Sequence, residues 1–123
     1  MDDPSPDVVL LERRIEAAEL RRLVERFEEM VKYVADVERG IIAIGGEMHS
    51  DAEEVLLEAG SRQADLWGAN YYPGRGREGC IEYTSLINIR PSAGNRGMEL
   101  IDPALRARVL EITRALVGEG EPV

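Results

Sequence analysis

The sequence predicts an α+β domain of two layers, with three helices packed on one mostly antiparallel sheet of about five strands, in the order β-α-β-β-α-β-β-α. Three observations carry that prediction. Apolar residues recur at helical spacing in three separate segments. Short runs rich in β-branched and aromatic residues lie between them, joined by connections short enough to favour antiparallel pairing. The chain has 123 residues, the usual size of one domain with one core.

Residues 1–7 hold three Asp and two Pro, a composition that buries too little apolar area to offset ordering entropy, and read as a tail. Residues 8–11 (Val-Val-Leu-Leu) suit a first strand. Over residues 16–30, Leu20, Leu23, Val24, Phe27 and then Val31 line one face while Arg21, Arg22, Glu25 and Glu28 line the other, the pattern of an amphipathic helix. Val31, Tyr33, Ala35 and Val37 alternate with Lys32, Asp36 and Glu38, and Arg39-Gly40 then leads into Ile41-Ile42-Ala43-Ile44 and Gly45-Gly46, as in a tight hairpin. Ser50-Asp51-Ala52-Glu53 has the form of a capping box opening a second helix, with Ala52, Val55, Leu56 and Ala59 as its apolar stripe and Gly60 as its stop.

Two further strands are predicted over residues 66–72 and 80–90, paired as a hairpin across the glycine-rich residues 73–79. Asp102-Pro103 is an N-cap followed by the residue best suited to the first helical position. Leu105, Val109, Ile112 and Leu116 then repeat at helical spacing up to Gly118, giving a closing helix. The domain is thus expected over residues 8–118, with a second short tail over 119–123.

Composition narrows the function. Fifteen Lys and Arg against 24 Asp and Glu give a net charge of -9, the wrong sign for phosphate neutralisation, so DNA is not an expected partner. The single Cys80 cannot form an internal disulfide, and the first residues lack the basic start and apolar stretch of a signal peptide, so the expected location is the cytoplasm. No apolar run approaches the roughly 20 residues that span a bilayer, so no membrane partner is expected.

Three stretches could carry chemistry. In Glu47-x-His49-x-Asp51 an extended backbone would turn alternate side chains the same way, bringing two carboxylates and an imidazole to a divalent metal such as Zn or Mn. His49 could instead serve as a general base, since its ordinary pKa lies near physiological pH. The bland alternative is that Asp51 and Glu53 serve the helix start and that Glu47 is solvated.

The second stretch runs from Asn88 to Gly97 (Asn-Ile-Arg-Pro-Ser-Ala-Gly-Asn-Arg-Gly). Arg90 and Arg96 offer planar forks of N–H groups, Asn88 and Asn95 add amide donors, and glycine-rich backbone can form an anion nest. Residues 1–58 carry 7 basic and 16 acidic side chains and residues 59–123 carry 8 of each, which places a less acidic half around this loop. Here the alternative is that Arg90 forms an ion pair and the glycines only turn the chain. The third stretch is Asp65-Leu66-Trp67-Gly68-Ala69-Asn70-Tyr71-Tyr72. Trp67, Ala69 and Tyr71 fall on one face of a strand, and Gly68 and Asn70 on the other, where a missing side chain lets a ligand or another backbone approach. Phosphate-loop, dinucleotide, serine-hydrolase and paired zinc-ligand motifs are absent, and the two Arg-Gly copies at 74–77 suit a hairpin tip better than RNA binding.

Through Asp36-Val37-Glu38-Arg39, Gly45-Gly46-Glu47-Met48-His49-Ser50-Asp51, Asp65-Leu66-Trp67-Gly68, Ile87-Asn88-Ile89-Arg90-Pro91 and Gly94-Asn95-Arg96, the chain resembles a family of short bacterial and archaeal single-domain proteins known as a domain of unknown function. The resemblance spans roughly residues 8–117 and implies a stand-alone domain, with no activity, ligand or partner to carry over. Where the family pattern has a Ser after the Asn-Arg pair, this chain has Gly97.

The leading functional expectation is a binding domain for a small anionic ligand, bearing phosphate or carboxylate, held by Arg90, Asn95 and Arg96 with Asn70 and Asn88 nearby. One alternative is a small hydrolase, with or without a divalent metal, built on Glu47, His49 and Asp51. Another is a homodimeric interaction module using an exposed sheet edge.

Overall fold

The computed structural model describes residues 7–123, so the tail expected over residues 1–7 lies, Asp7 excepted, outside the described residues. Along the chain the elements are β1 (Val8–Leu11), α1 (Ala17–Phe27), β2 (Val31–Asp36), β3 (Ile41–Gly45), α2 (His49–Glu58), β4 (Leu66–Tyr71), α3 (Gly76–Gly79), β5 (Ile81–Glu82) and α4 (Pro103–Leu116). The five strands form one sheet in the order β1-β3-β2-β4-β5, and every neighbouring pair is antiparallel. The α+β class and the five-stranded antiparallel sheet are those expected. Among the described residues there are four helices rather than three, the addition being α3, a single turn inside the connection predicted as a hairpin tip.

That turn has a nonlocal cause. The Gly120 carbonyl accepts from the amides of Gly74 and Gly76, each at 3.0 Å, and Arg77 pairs with Glu119 at 2.7 Å. The Gly120 amide in turn donates to the buried Tyr71 hydroxyl at 2.9 Å. Residues 119–121, expected as part of a tail, are therefore tied onto the β4–β5 connection.

Sheet order explains where the helices lie. β1 and β2 run in the same direction with β3 between them, and β3 and β4 run in the opposite direction with β2 between them. Both crossovers step the same way across the sheet. A crossover of fixed right-handed sense puts its helix on one face when the strands point up and on the other when they point down. Accordingly α1 packs Leu20 and Leu23 on the face carrying Tyr33, Ile42, Ile44, Trp67, Ala69 and Tyr71, where α4 adds Val109, Ile112 and Leu116. The shorter α2 packs Ala52 and Leu56 on the opposite face against Val34, Ala43 and Leu66. The expected helical layer is present, and a smaller cover lies on the second face.

Local chemistry sets the boundaries. In the β2–β3 turn the fully buried Asp36 accepts at one carboxylate oxygen from the amides of Glu38 and Arg39, both at 2.9 Å, and at the other from the Ser61 hydroxyl at 2.6 Å. Gly40 takes a φ of 70° to close that turn. The cap of α2 is two residues earlier than expected: Met48 is the N-cap, and Asp51 reaches back to accept the Met48 amide at 3.0 Å. Helix α4 starts as expected, with the Asp102 carboxylate accepting from Ala104 and Leu105 and Pro103 in the first turn.

The strand predicted over residues 80–90 is cut to two residues. At Ser85 the side-chain oxygen accepts the Ile87 amide, a 3-10 turn follows over Leu86–Asn88, and the chain folds back across the α2 face. Gly68 makes the crossing possible: a Cβ there would sit 2.6 Å from Ser85 Cβ and 3.2 Å from His49 Cδ2.

Candidate functional site

Where β5 stops, β4 needs new partners for its edge, because a buried amide or carbonyl left unpaired costs about 1–3 kcal/mol. Asn88 supplies them. Its Oδ1 accepts the Gly68 amide at 2.8 Å and its Nδ2 donates to the Gly68 carbonyl at 3.0 Å, so one side chain does what the next strand residue would have done. Asn88, expected as an amide donor to a ligand, is fully buried.

The rest of the 88–97 loop is closed on itself in the same manner. The Arg90 guanidinium donates to the carbonyls of Ile87, Gln63, Ala64 and Leu66 and lies 4.1 Å over the Trp67 ring. Burial pulls its pKa downward and Glu53 pulls it back up. Asn95 is buried; its amide donates to the carbonyls of Asn88, Gly97 and Glu99, and its oxygen accepts the Ile101 amide. Arg96 is exposed. The oxyanion donors expected from Asn88, Arg90 and Asn95 are therefore committed to backbone. The alternative for Arg90, an ion pair, gives way to carbonyl contacts and an aromatic stack.

The Glu47, His49 and Asp51 side chains are likewise taken up by separate partners. Glu47 is largely exposed and accepts from Arg26 at 2.7 Å, Asp51 serves the α2 cap, and the His49 ring turns inward to the sheet. Among the described residues no three His, Cys, Asp or Glu side chains gather as a metal site. The early start of the helix is the reason: α2 begins at His49 itself, so the extended backbone that would align the three side chains is absent.

His49 and Asn70, by contrast, are brought together. His49 is the first residue of α2 and Asn70 lies on the adjoining face of β4, paired across strands with Lys32 of β2. Both line a cleft of about 450 Å³ between α2, the sheet and the returning chain at residues 84–87. Its walls are mostly apolar. Three of the chain's four Met (Met30, Met48 and Met98) join Leu86 and Ile87 there, side chains flexible enough to fit irregular shapes. The volume falls within the range of small-molecule sites, which pair apolar walls with a few convergent polar groups.

Those polar groups are unusual in what they lack. His49 Nε2 lies 2.8 Å from the Ala69 carbonyl, and burial pushes the imidazole pKa below its ordinary value, with Ala69 and Asn70 pulling upward and Lys32 downward. Asn70 is 4% exposed. Its Nδ2 donates to Glu82 Oε1 at 2.8 Å and to the Thr84 carbonyl at 3.3 Å, while its Oδ1 is one of two buried side-chain polar atoms without a partner among the described residues, the other being Arg114 Nε on α4. A groove of equal volume along β1 and the start of α1 is walled by exposed charges such as Glu12, Arg13 and Glu16 and gathers no such group.

Sequence reasoning named His49 and Asn70 but missed Lys32, Thr84 and the three Met. The alternation in β2 already put Lys32 opposite Val31 and Tyr33; its pairing with Asn70 requires the register of β4. Arg90 does not line the cleft that holds His49, so the two loops do not form one pocket.

No curated protein and no solved structure is significantly similar to the chain. Among the described residues no helix is long and apolar enough to cross a membrane. The family of proteins of unknown function designated DUF5674 matches residues 9–116, nearly the whole folded region from β1 to the end of α4, and the chain belongs to that family.

Proposed function

We propose that the protein is a small-molecule binding domain whose site is the cleft at His49 and Asn70, in place of the Arg- and Asn-rich loop at residues 88–97. The observation that carries this reading is the buried Asn70 Oδ1, without a partner among the described residues, on a side chain that lines a mostly apolar cleft of about 450 Å³. A buried acceptor without a donor costs stability unless something outside the fold pairs with it, which is a reason for a protein to keep it at a binding site. The hydrolase alternative would need Glu47, His49 and Asp51 to act together, and each is held by a different partner.

Amide NMR of the labelled chain with a mixed set of small aromatic amphiphiles tests the proposal. Saturable shifts confined to residues 48–50, 70, 84–87 and 98 are expected, and they should vanish in Ser50→Trp, where the new ring fills the cleft mouth. Shifts centred on residues 88–97 would overturn it. A second copy of the chain is the competing occupant, because Leu86, Met48 and Met98 at the mouth are 63%, 55% and 42% exposed. Light scattering separates the two: a dimer dissociated by Leu86→Glu would favour self-association.

A further inference from the structure

The orientation of the polar groups in the cleft limits what can bind. Asn70 Nδ2 faces a carboxylate oxygen of Glu82 and the carbonyl of Thr84; both only accept, so the amide cannot be flipped and Oδ1 must be the atom left over. His49 is fixed by the same logic. The Ala69 carbonyl at Nε2 only accepts, so Nε2 carries the hydrogen, and Nδ1 of the neutral ring is an acceptor without a donor among the described residues, the Asn70 side chain beside the ring favouring its protonated form. Two acceptors are therefore left over on residues of adjoining elements that both line a cleft with largely apolar walls.

Charge narrows the choice further. Lys32 and Glu47 line the cleft with opposite charges, so its walls favour neither a cation nor an anion, and the lone pairs of Asn70 and His49 add a term against an anion. The Glu82 carboxylate beside them already accepts from Asn70 and from the Tyr72 hydroxyl at 3.0 Å. A charged head would have to shed its hydration for surroundings that offer it no unpaired counter-ion at the buried end.

We infer that the cleft selects an uncharged, largely apolar molecule that presents an N–H donor to Asn70 Oδ1 and His49 Nδ1, the chemical class of primary carboxamides on an aromatic or aliphatic body. A terminal –NH₂ has two hydrogens for the two acceptors, and its carbonyl can turn toward the Lys32 ammonium at the open side. The Met side chains, polarizable and adaptable, suit the faces of an aromatic body. This inference rests on the cleft being the binding site, as proposed above.

The test is an amide NMR titration of the full chain at pH 7.5 with four matched probes: benzamide, N,N-dimethylbenzamide, benzoate and toluene. Benzamide is expected to shift residues 48–50, 70 and 84–87 saturably, at least tenfold more tightly than the dimethyl compound, which keeps the carbonyl but has no N–H, and than benzoate. The Asn70→Ala chain should lose most of that preference and bind benzamide and its dimethyl analogue within threefold of each other. If that variant does not fold, the probe series on the unaltered chain decides alone. Equal binding of all four probes would overturn the donor assignment while leaving the cleft as the site. Tightest binding by benzoate would overturn it in favour of an anionic head. No shift in the cleft with any probe would overturn both the inference and the reading on which it rests.

Discussion

The loop at residues 88–97 and the cleft at His49 and Asn70 make an instructive pair. The loop has more of the side chains associated with ligand recognition: two Arg, two Asn and glycines within ten residues. Yet the buried Asn88 and Asn95 and the Arg90 fork spend their polar atoms on backbone groups. The cleft has fewer such residues, and one of them keeps a buried acceptor unmatched. A recognition site is marked by hydrogen-bonding capacity that the fold leaves over, and counting donors in a sequence does not measure that remainder.

The sharpest way to break the comparison is at Gly68, where the two regions meet. Gly68→Ala places a methyl 2.6 Å from Ser85 Cβ and 3.2 Å from His49 Cδ2, so the returning chain and α2 must both move; a loss of about 3 kcal/mol in urea unfolding is expected, together with loss of probe binding in the cleft. Asn88→Ala strips the β4 edge of both partners and should cost about 2–3 kcal/mol. If it leaves the urea midpoint unchanged, the loop is not the structural closure described here. Arg90→Ala removes several carbonyl contacts and the stack on Trp67; about 1–2 kcal/mol of stability should be lost with no change in phosphate or carboxylate binding. Arg90→Lys should recover little, since an ammonium reproduces neither the fork nor the stack.

Smaller effects sharpen the cleft side. The folded pKa of His49 is lowered by burial, so native protein binds this proton less readily than unfolded chain does. Stability is then full above the ordinary histidine value of about 6.5 and falls as pH drops below it toward the lower folded pKa. Urea midpoints between pH 8 and pH 5 should show that decline, and it should be reduced in His49→Gln. Arg96→Ala, an exposed change, should stay within about 0.5 kcal/mol of the parent by the same assay and should not affect benzamide binding.

Much of the fold was legible because it is set locally. The apolar stripe of Leu20, Leu23, Val24 and Phe27, the Asp102-Pro103 start and the glycine at position 40 each act within a turn or two of chain. The missed features depend on residues distant in sequence. The 80–90 strand had the composition of a strand, but Gly68 and Asn88 offer the chain a better partner off the sheet. The pairing of sheet faces with helices needed the strand order, after which the handedness of the crossovers decides it. At the site, the face shared by Gly68 and Asn70 followed from alternation, whereas the use made of Arg90 could be known only once four carbonyls were found converging on it.

The docked C-terminal segment bears on how the protein is made. The Ile15 amide, before α1, donates to the Leu116 carbonyl at 2.8 Å, and Gly120 holds Tyr71, Gly74 and Gly76 in place. A ribosome releases β1 through β4 long before residues 116–120 have cleared its exit tunnel. Until then the larger core face lacks α4, and the β4–β5 connection lacks its clasp. Folding is therefore completed late, with contacts of long sequence separation closing last, and the nascent sheet spends its synthesis with one apolar face covered only by α1 and so partly open to chaperones or to premature pairing with other chains.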